Sequence, residues 1–275
     1  MQHKLKIGFI GGGNMASALI GGLIEKLTVP ANIHVIDPNQ DALIRMESEF
    51  GVSTALSIDA SLTQMDVIIL SVKPQQMRDV IGALAPFLSG QLLLSIAAGI
   101  RASDISRWLG GYDKIVRTMP NTPALIGLGI TGLVAMPGVD SSQRQAAQDI
   151  MQAVGATVWL EDESLIDAVT AVSGSGPAYV FYFIEAMQQA ALELGLNQEQ
   201  GTQLAIATFN GAAQLALRSN DPVSVLRERV TSKGGTTYAA LCSMEESGIQ
   251  PAIVKAIKAA ANRGKELGDE FGDQV

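Results

Sequence analysis

Cysteine and histidine are scarce in this sequence. Cys242 is the only cysteine among 275 residues, and His3 and His34 are the only histidines. A single cysteine excludes an intrachain disulfide and fits a reducing compartment. Neither histidine lies at a spacing typical of metal ligands, so we expect no metal. We expect Cys242 to be a small apolar helix residue.

Basic tracts are also missing, and the formal net charge is −8. This balance argues against nucleic acid or an anionic membrane as a partner. Three segments lack charged residues, but prolines, glycines or polar residues interrupt each one, so we expect no membrane span: 118–139, 168–184 and 200–217. No apolar signal-peptide region precedes the first strand pattern, so we expect an unexported, cytoplasmic protein.

Hydrophobic residues are plentiful, at 47% of the chain, and charged residues make up only 17%. Short apolar strand patterns alternate with helical patterns through the first half. This alternation predicts an α/β fold, a Rossmann-type, mostly parallel sheet domain over residues 1–163. The predicted strands are 6–10, 33–37, 66–72, 91–97, 114–119, 130–136 and 156–160.

The second half, residues 164–275, has six helical patterns and no strand pattern. One of them, 202–217, is apolar or small nearly all round, so it must be covered on every side. We expect a second copy of the chain to cover it, which makes this an all-helical dimerisation domain. The alternative is a central helix of a compact monomeric bundle.

A glycine-rich turn follows the first predicted strand in "IGFIGGGNMASAL". Gly11, Gly13 and Ala16 form the pattern G-x-G-x-x-A between a strand and a helix, which predicts dinucleotide binding. Amides from about Asn14 onward would face the phosphates. Asp37 ends the second strand, where an acid binds the ribose hydroxyls and repels a 2'-phosphate, which favours NADH. The alternative is a turn residue within "DPNQ".

Three further loops follow predicted strands at the same edge: "SVKPQ" (71–75), "SIAAG" (95–99) and "RTMPNTPA" (117–124). Since ligands lie beyond the carboxyl ends of such strands, we expect these loops to line one cleft with the glycine turn. Lys73 precedes a proline and should be extended. The alternative for each loop is an ordinary connection.

The helical half holds two more unusual stretches. "SKGGTT" (232–237) precedes a predicted helix, either as a ligand loop or as a plain loop with Ser232 or Thr236 as a helix cap. "SGSGP" (173–177) can end one helix and start the next, with Pro177 in the first turn.

Five stretches together resemble the pyrroline-5-carboxylate reductase family, in order and over essentially the whole chain: "FIGGGNMASAL", "SVKPQ", "TMPNTPA", "DAVTAVSGSGPAYVF" and "VTSKGGTTYAAL". The resemblance implies a Rossmann domain and a helical domain that interlocks with another subunit. It implies reduction of L-1-pyrroline-5-carboxylate to L-proline, the last step of proline biosynthesis, with NADPH or NADH. It also implies dimers that commonly assemble into decamers.

The resemblance further implies site residues. The cofactor positions are Ile10, Gly11, Gly12, Gly13, Asn14, Met15, Asp37, Ser71, Val72, Lys73, Pro74, Ile96, Ala97, Ala98 and Asn121. The substrate positions are Ser175, Ser232, Gly234, Gly235, Thr236 and Thr237, with Thr237 as the catalytic residue.

Four positions depart from the family pattern. NADPH-preferring members tend to carry Ser or Arg where Asp37 stands, which puts the cofactor preference in doubt. Ile58, Lys233 and Arg229 replace residues that are often asparagine, proline and asparagine.

The implied chemistry needs orientation more than an acid catalyst. Amides of the 232–237 turn would grip the substrate carboxylate, and Thr237 would hydrogen-bond the ring nitrogen. Two alternatives stay open. One is a hydroxyacid dehydrogenase with a Lys or His base, although Lys255, Lys258 and Lys265 read as a solvated face. The other is a nicotinamide-sensing protein without turnover.

Overall fold

The computed structural model describes residues 5–272. The chain divides into two compact units. The first runs up to Ser175 and takes up the chain again from Ala260, and the second is Gly176–Ala259. The predicted domain boundary lies near residue 163. The compact units divide at other positions, because the short helix after residue 163 and the end of the last helix pack with the first unit.

The first unit contains an eight-stranded sheet in the order β3-β2-β1-β4-β5-β6-β7-β8. All neighbouring strands are parallel except β6 and β7. The strands are β1 Ile7–Ile10, β2 Ile33–Ile36, β3 Ser53–Ala55, β4 Val67–Leu70, β5 Leu92–Ser95, β6 Ile115–Met119, β7 Gly129–Ala135 and β8 Gly155–Trp159. The predicted Rossmann-type, mostly parallel sheet is confirmed.

Six helices of this unit lie along the chain between and after the strands: α1 Asn14–Lys26, α2 Gln40–Phe50, α3 Met77–Leu84, α4 Ala102–Trp108, α5 Ser141–Gln152 and α6 Leu165–Val169. Strands β1, β2, β4 and β5 are buried at every position. Two separate apolar clusters contain alternate residues of these strands, for example Phe9 in one and Ile10 in the other. Side chains of a strand point alternately to opposite faces, so both faces of the sheet are covered.

Two details of the sheet were not predicted from the sequence. Strand β3 went unpredicted because its three residues are short of apolar side chains and only partly buried. Strand β7 runs antiparallel to β6. The connection between them, around the short turn Thr122–Ile126, is too short for the crossover that a parallel pair needs.

The second unit is helical, as predicted. It contains α7 Gly176–Glu193, α8 Gln198–Arg218, α9 Val223–Arg229, α10 Thr236–Glu246 and the first part of α11 Ile249–Gly272. Helices α7 and α8 pack together, with the rings of Phe183 and Phe209 6.4 Å apart. No described helix has the length and apolar character needed to cross a bilayer.

Helix α8 is not enclosed by its own chain. Its large apolar side chains are exposed, with Leu217 at 78% and Leu215 at 58%, and its only buried residues are Gly201 and Ala205. This exposure contradicts the alternative of a central helix in a monomeric bundle. It favours the expected second copy, because an apolar helix surface of this size is unfavourable in water.

Candidate functional site

The turn after β1 has a backbone that only glycine fits. Gly11 has φ of 105°, and a Cβ there would lie 2.5 Å from the backbone oxygen of Ser71. The Gly11 amide donates to the oxygen of Ile36 at 2.8 Å. The end of β4 therefore packs against the turn, and the end of β2 fixes it through this hydrogen bond.

The start of α1 is open. Gly13 is the N-cap and no side chain caps the helix, so the first helical amides, from Asn14 and Met15 on, lack the usual side-chain partner. A Cβ at Gly13 would meet nothing within 4 Å. Ala16 is fully buried in the core beneath. The arrangement is an anion cradle with space above it, which fits the pyrophosphate of a dinucleotide.

Asp37 stands beside this cradle and also forms a turn. Its Oδ2 accepts from the Gly12 amide at 2.7 Å, and its Oδ1 accepts from the Asn39 amide at 2.8 Å. Asn39 in turn caps α2. The two interpretations of Asp37 are therefore compatible, since the turn delivers the carboxylate to the glycine loop.

The loop after β4 braces the cradle from the other side. The Ser71 hydroxyl contacts the backbone oxygens of Ile10, at 3.0 Å, and Gly11, at 2.8 Å. Lys73 is exposed and extended, with φ −63° and ψ 146°, as expected before Pro74. Ser71 supports the turn, while Lys73 has a side chain free to reach a ligand.

The loop after β5 reaches the same edge. Ile10 is level with Ile36 and Leu70, and Leu70 with Ser95. Because these strands are parallel, the residues that follow them lie side by side. Ala98 is exposed, and Val72 and Ile96 are partly buried. Ala97 is buried, so a ligand could contact its backbone but not its side chain. The structure thus brings the predicted cofactor residues of four strand ends together.

Asn121 follows β6 and makes two internal contacts. Its Nδ2 donates to the oxygen of Ser173 at 3.1 Å, and its Oδ1 accepts from the Ile130 amide at 3.0 Å. Asn121 as a whole is 8% exposed. It ties the loop of residues 120–122 to the "SGSGP" stretch.

Ser175 ends a widened helical turn. Helix α6 continues into a π-helical turn, Thr170–Gly174, and the Ser175 amide closes it by donating to the oxygen of Thr170 at 2.8 Å. Pro177 lies in the first turn of α7, as expected. Isolated π-helical turns often mark functional sites.

The 232–237 stretch forms a second glycine-rich helix start, in the second unit. Gly234 has φ of 74°, and the Gly235 amide donates to the Ser232 oxygen at 3.0 Å. Gly235 is the N-cap of α10, and no side chain caps this helix. The alternative with Ser232 or Thr236 as the cap is therefore wrong. The amides at this helix start are open to an anion.

Few ionisable groups accompany these loops. Behind Thr237, a hydrogen bond between Tyr238 and Cys242 raises the pKa of the Tyr238 phenol. On β2, burial lowers the pKa of His34, and the nearby Asp59 partly offsets this. Among residues 5–272, no group of three His, Cys, Asp or Glu side chains is arranged to hold a metal ion.

Comparison with known proteins agrees with this layout. Residues 163–267 match the family model for pyrroline-5-carboxylate reductase dimerisation. The reductase of Pseudomonas aeruginosa is 45% identical over 97% of this chain and 98% of its own length. The chain belongs to the pyrroline-5-carboxylate reductase family. The family member from Haemophilus influenzae is 41% identical, with 97% and 98% of the two chains covered.

Solved structures of the family have the same fold. The pyrroline-5-carboxylate reductase of Coxiella burnetii superposes with a TM-score of 0.91 at 41% identity, covering 96% of this chain and 99% of the other. That of Plasmodium falciparum, solved with NADP bound, gives a TM-score of 0.86 at 30% identity and covers 96% and 98%. Residues 6–99 also match a family model described as NADP oxidoreductase, coenzyme F420-dependent.

Two residues that support the site were not among the predicted site residues. Arg45 on α2 donates from Nη2 to the Gly12 oxygen at 3.3 Å, and no motif marked it. Arg117 is charged although it lies on a buried strand. This is visible in the sequence and indicates a buried ion pair, because a buried charge must be paired.

Proposed function

We propose that the chain reduces L-1-pyrroline-5-carboxylate to L-proline with NADPH or NADH, the last step of proline biosynthesis. One observation supports this choice above the others. The chain has a second uncapped, glycine-rich helix start at 232–237 besides the dinucleotide cradle. A small substrate with a carboxylate needs such a group of amides, whereas the cofactor is already accommodated by the first.

The cofactor residues have distinct tasks in this proposal. Gly11 and Gly13 let the pyrophosphate approach the backbone, and the first amides of α1 bind it. Asp37 holds the adenosine ribose. Lys73, Ala98 and neighbouring backbone groups line the rest of the edge. The bound NADPH or NADH supplies the hydride.

The substrate residues orient the ring. The amides of Gly234, Gly235 and Thr236 bind the carboxylate, with a modest contribution from the dipole of α10. The hydroxyl of Thr237 hydrogen-bonds the ring nitrogen, which orients the imine and favours its protonation. Ser175 lines the site at the end of the π-helical turn. A protonated imine is already electrophilic, so orientation contributes most of the catalysis.

Asp37 supports a preference for NADH. Its carboxylate is held close to Gly12 at 2.7 Å, and a fixed negative charge at this place repels the 2'-phosphate of NADPH. Comparison of kcat/KM for the two cofactors measures the preference directly.

The exposed apolar surface of α8 supports a homodimer formed through the helical half. By analogy with the family, we propose that dimers assemble further, into decamers, in the cytoplasm. Light scattering on the purified protein gives the assembly state.

The test of the activity is oxidation of NADH and NADPH under three conditions: with pyrroline-5-carboxylate, with a 2-oxo acid, and with no added substrate. Turnover with pyrroline-5-carboxylate alone is expected. Turnover with the oxo acid would instead establish a hydroxyacid dehydrogenase. Cofactor binding without turnover would establish a sensor. Either result would contradict the proposal.

A further inference from the structure

Strand β6 carries a buried charge that has no part in the proposed binding of cofactor or substrate. The side chain of Arg117 is 4% exposed, its Nη1 lies 3.1 Å from Glu163 Oε1 and its Nη2 lies 4.0 Å from Asp167 Oδ1. The same Glu163 oxygen accepts from the Ala102 amide at 2.5 Å, at the first residue of α4. A buried guanidinium is tolerated only when paired in this way. Arg117 therefore fixes Glu163 and Asp167 against the sheet.

Arg117 is the first of three alternate residues on one face of the chain here. Side chains two apart share a face of an extended strand, and Asn121 is still extended, with φ −133° and ψ 166°. The middle residue is Met119, whose Cε lies 2.6 Å from where a Cβ on Gly174 would be. The third is Asn121, which donates to the Ser173 oxygen at 3.1 Å.

All three residues therefore contact one short segment, from Asp167 to Gly174. This segment is the end of α6 and the π-helical turn. Its hydroxyls are turned inward, since Thr170 Oγ1 donates to the Ile166 oxygen at 2.8 Å and Ser173 Oγ to the Val169 oxygen at 3.0 Å. They do not anchor the turn to the sheet. A π-helical turn is rare, and the contacts from β6 and the loop after it help to anchor it, beside the packing of Val169 on Gly132 of β7.

We propose that Arg117 and Asn121 are positioning residues for the reductase: they hold the π-helical turn so that Ser175 stands in a fixed place beside the cleft. This inference rests on the proposed function. Asn121 acts through the Ser173 carbonyl and not, as the family resemblance implies, by contact with the cofactor, since its buried amide already uses one donor and its acceptor inside the protein. Arg117 acts through Glu163, which precedes α6, and through Asp167, which begins the segment.

The test is Asn121→Asp. Aspartate still accepts from the Ile130 amide but places an oxygen against the Ser173 oxygen, so it breaks only the contact to the turn. We expect kcat for pyrroline-5-carboxylate to fall about tenfold or more, with the Kd for NADH within about twofold of wild type. Hydrogen exchange should rise in residues 170–176 and not across the sheet.

The matched control is Thr28→Val. It removes another side-chain hydrogen bond of the same unit, from Thr28 Oγ1 to the Leu5 oxygen at 2.9 Å, with the side chain 4% exposed. This variant should lower the melting temperature while kcat stays at the wild-type value. An equal loss of kcat in Thr28→Val would show that Asn121 has only a general structural role, and would overturn the proposal.

Two other outcomes also overturn it. One is weaker NADH binding in Asn121→Asp with an unchanged kcat, which would mean direct contact with the cofactor. The other is unchanged exchange in residues 170–176. If Asn121→Asp does not fold, Arg117→Lys replaces it, and kcat should fall while NADH binding persists. A wild-type protein inactive on pyrroline-5-carboxylate refutes the proposed function, whereas the exchange comparison still decides the positioning role.

Discussion

The two glycine-rich helix starts have nearly the same backbone and different surroundings. The N-caps Gly13 and Gly235 have φ of −79° and −82° and ψ of −176° and 177°. Neither helix has a side-chain cap. The same local physics, free amides at a positive helix end, recurs in both units.

The two loops differ in the contacts that surround them. In the first loop, Gly11 and Gly12 are buried and contact Ser71, Ile36 and Asp37. The second loop is mostly exposed in the single chain, and Gly234 has nothing within 4 Å of its Cβ position. In the proposed function, the first loop holds the pyrophosphate, which NADH and NADPH share. The second loop is bordered by hydroxyl groups that would distinguish one substrate from another.

The largest expected effect tests the first loop. Gly11→Ala places a methyl group 2.5 Å from the Ser71 oxygen, at a φ of 105°, so the turn must distort. We expect NADH affinity to fall about 100-fold or more and the melting temperature to fall as well, by calorimetry. In Gly13→Ala, where the Cβ site is empty, the methyl should weaken NADH binding without a change in melting temperature. Equal stability losses would contradict the comparison.

The next effect tests the substrate loop. Thr237→Ala removes the proposed hydrogen bond to the ring nitrogen, so kcat/KM for pyrroline-5-carboxylate should fall about tenfold or more. The Kd for NADH should not change. Ser243→Ala, which removes another hydroxyl of α10, should leave the kinetics at wild-type values. Unchanged kinetics in Thr237→Ala would refute its catalytic role.

The cofactor preference of an Asp37 variant tests the role of Asp37. In Asp37→Ser, the ratio of kcat/KM for NADH to that for NADPH should fall about tenfold, because the negative charge beside the ribose is lost. Asp41→Ser changes an acid at the start of α2 and should leave the ratio as in wild type. A ratio unaffected by Asp37→Ser would remove the basis for an NADH preference.

The smallest expected effect is a pH dependence of folding stability, which comes from His34 on β2, the strand that contacts the first glycine loop. His34 is buried on β2, its Nδ1 is 2.8 Å from Ser53 Oγ, and its Nε2 has no partner in the described chain. Burial lowers the pKa of His34, so the neutral form is favoured in the folded state. That stability is present above the unfolded pKa of about 6.5 and is lost as the pH falls through the lowered folded pKa.

Melting temperatures between pH 7 and pH 5 measure this dependence. The wild type should lose more stability than His34→Gln, which cannot titrate in this range. Parallel curves for the two proteins would show that protonation of His34 does not matter to the fold.

The sequence predicted most of the sheet, because strands such as β1, β4 and β5 are buried on both faces and are therefore continuous or nearly continuous apolar runs. It did not predict β3, whose Ser53 and Thr54 pair only at the edge. It placed the glycine loop and its neighbouring strand ends correctly, since parallel topology alone brings those residues together.

The supports of the site were not predictable in the same way. The contacts of Arg117 with Glu163 and of Asn121 with Ser173 span 46 and 52 residues, and no local pattern encodes such pairs. The uncapped start of α10 was also ambiguous, because a hydroxyl beside a helix start is the usual sign of a cap.

The central claim is that the amides at the start of α10 bind the substrate carboxylate. It is tested most directly by the ratio of kcat/KM for pyrroline-5-carboxylate to that for 1-pyrroline, the same imine without the carboxylate. Thr236→Pro deletes one amide at the first helical position, where proline is tolerated after an extended Gly235. Thr236→Ala deletes the hydroxyl and keeps the amide. The account predicts that the ratio falls about tenfold in Thr236→Pro and persists in Thr236→Ala, whereas an undiminished ratio in Thr236→Pro would contradict it.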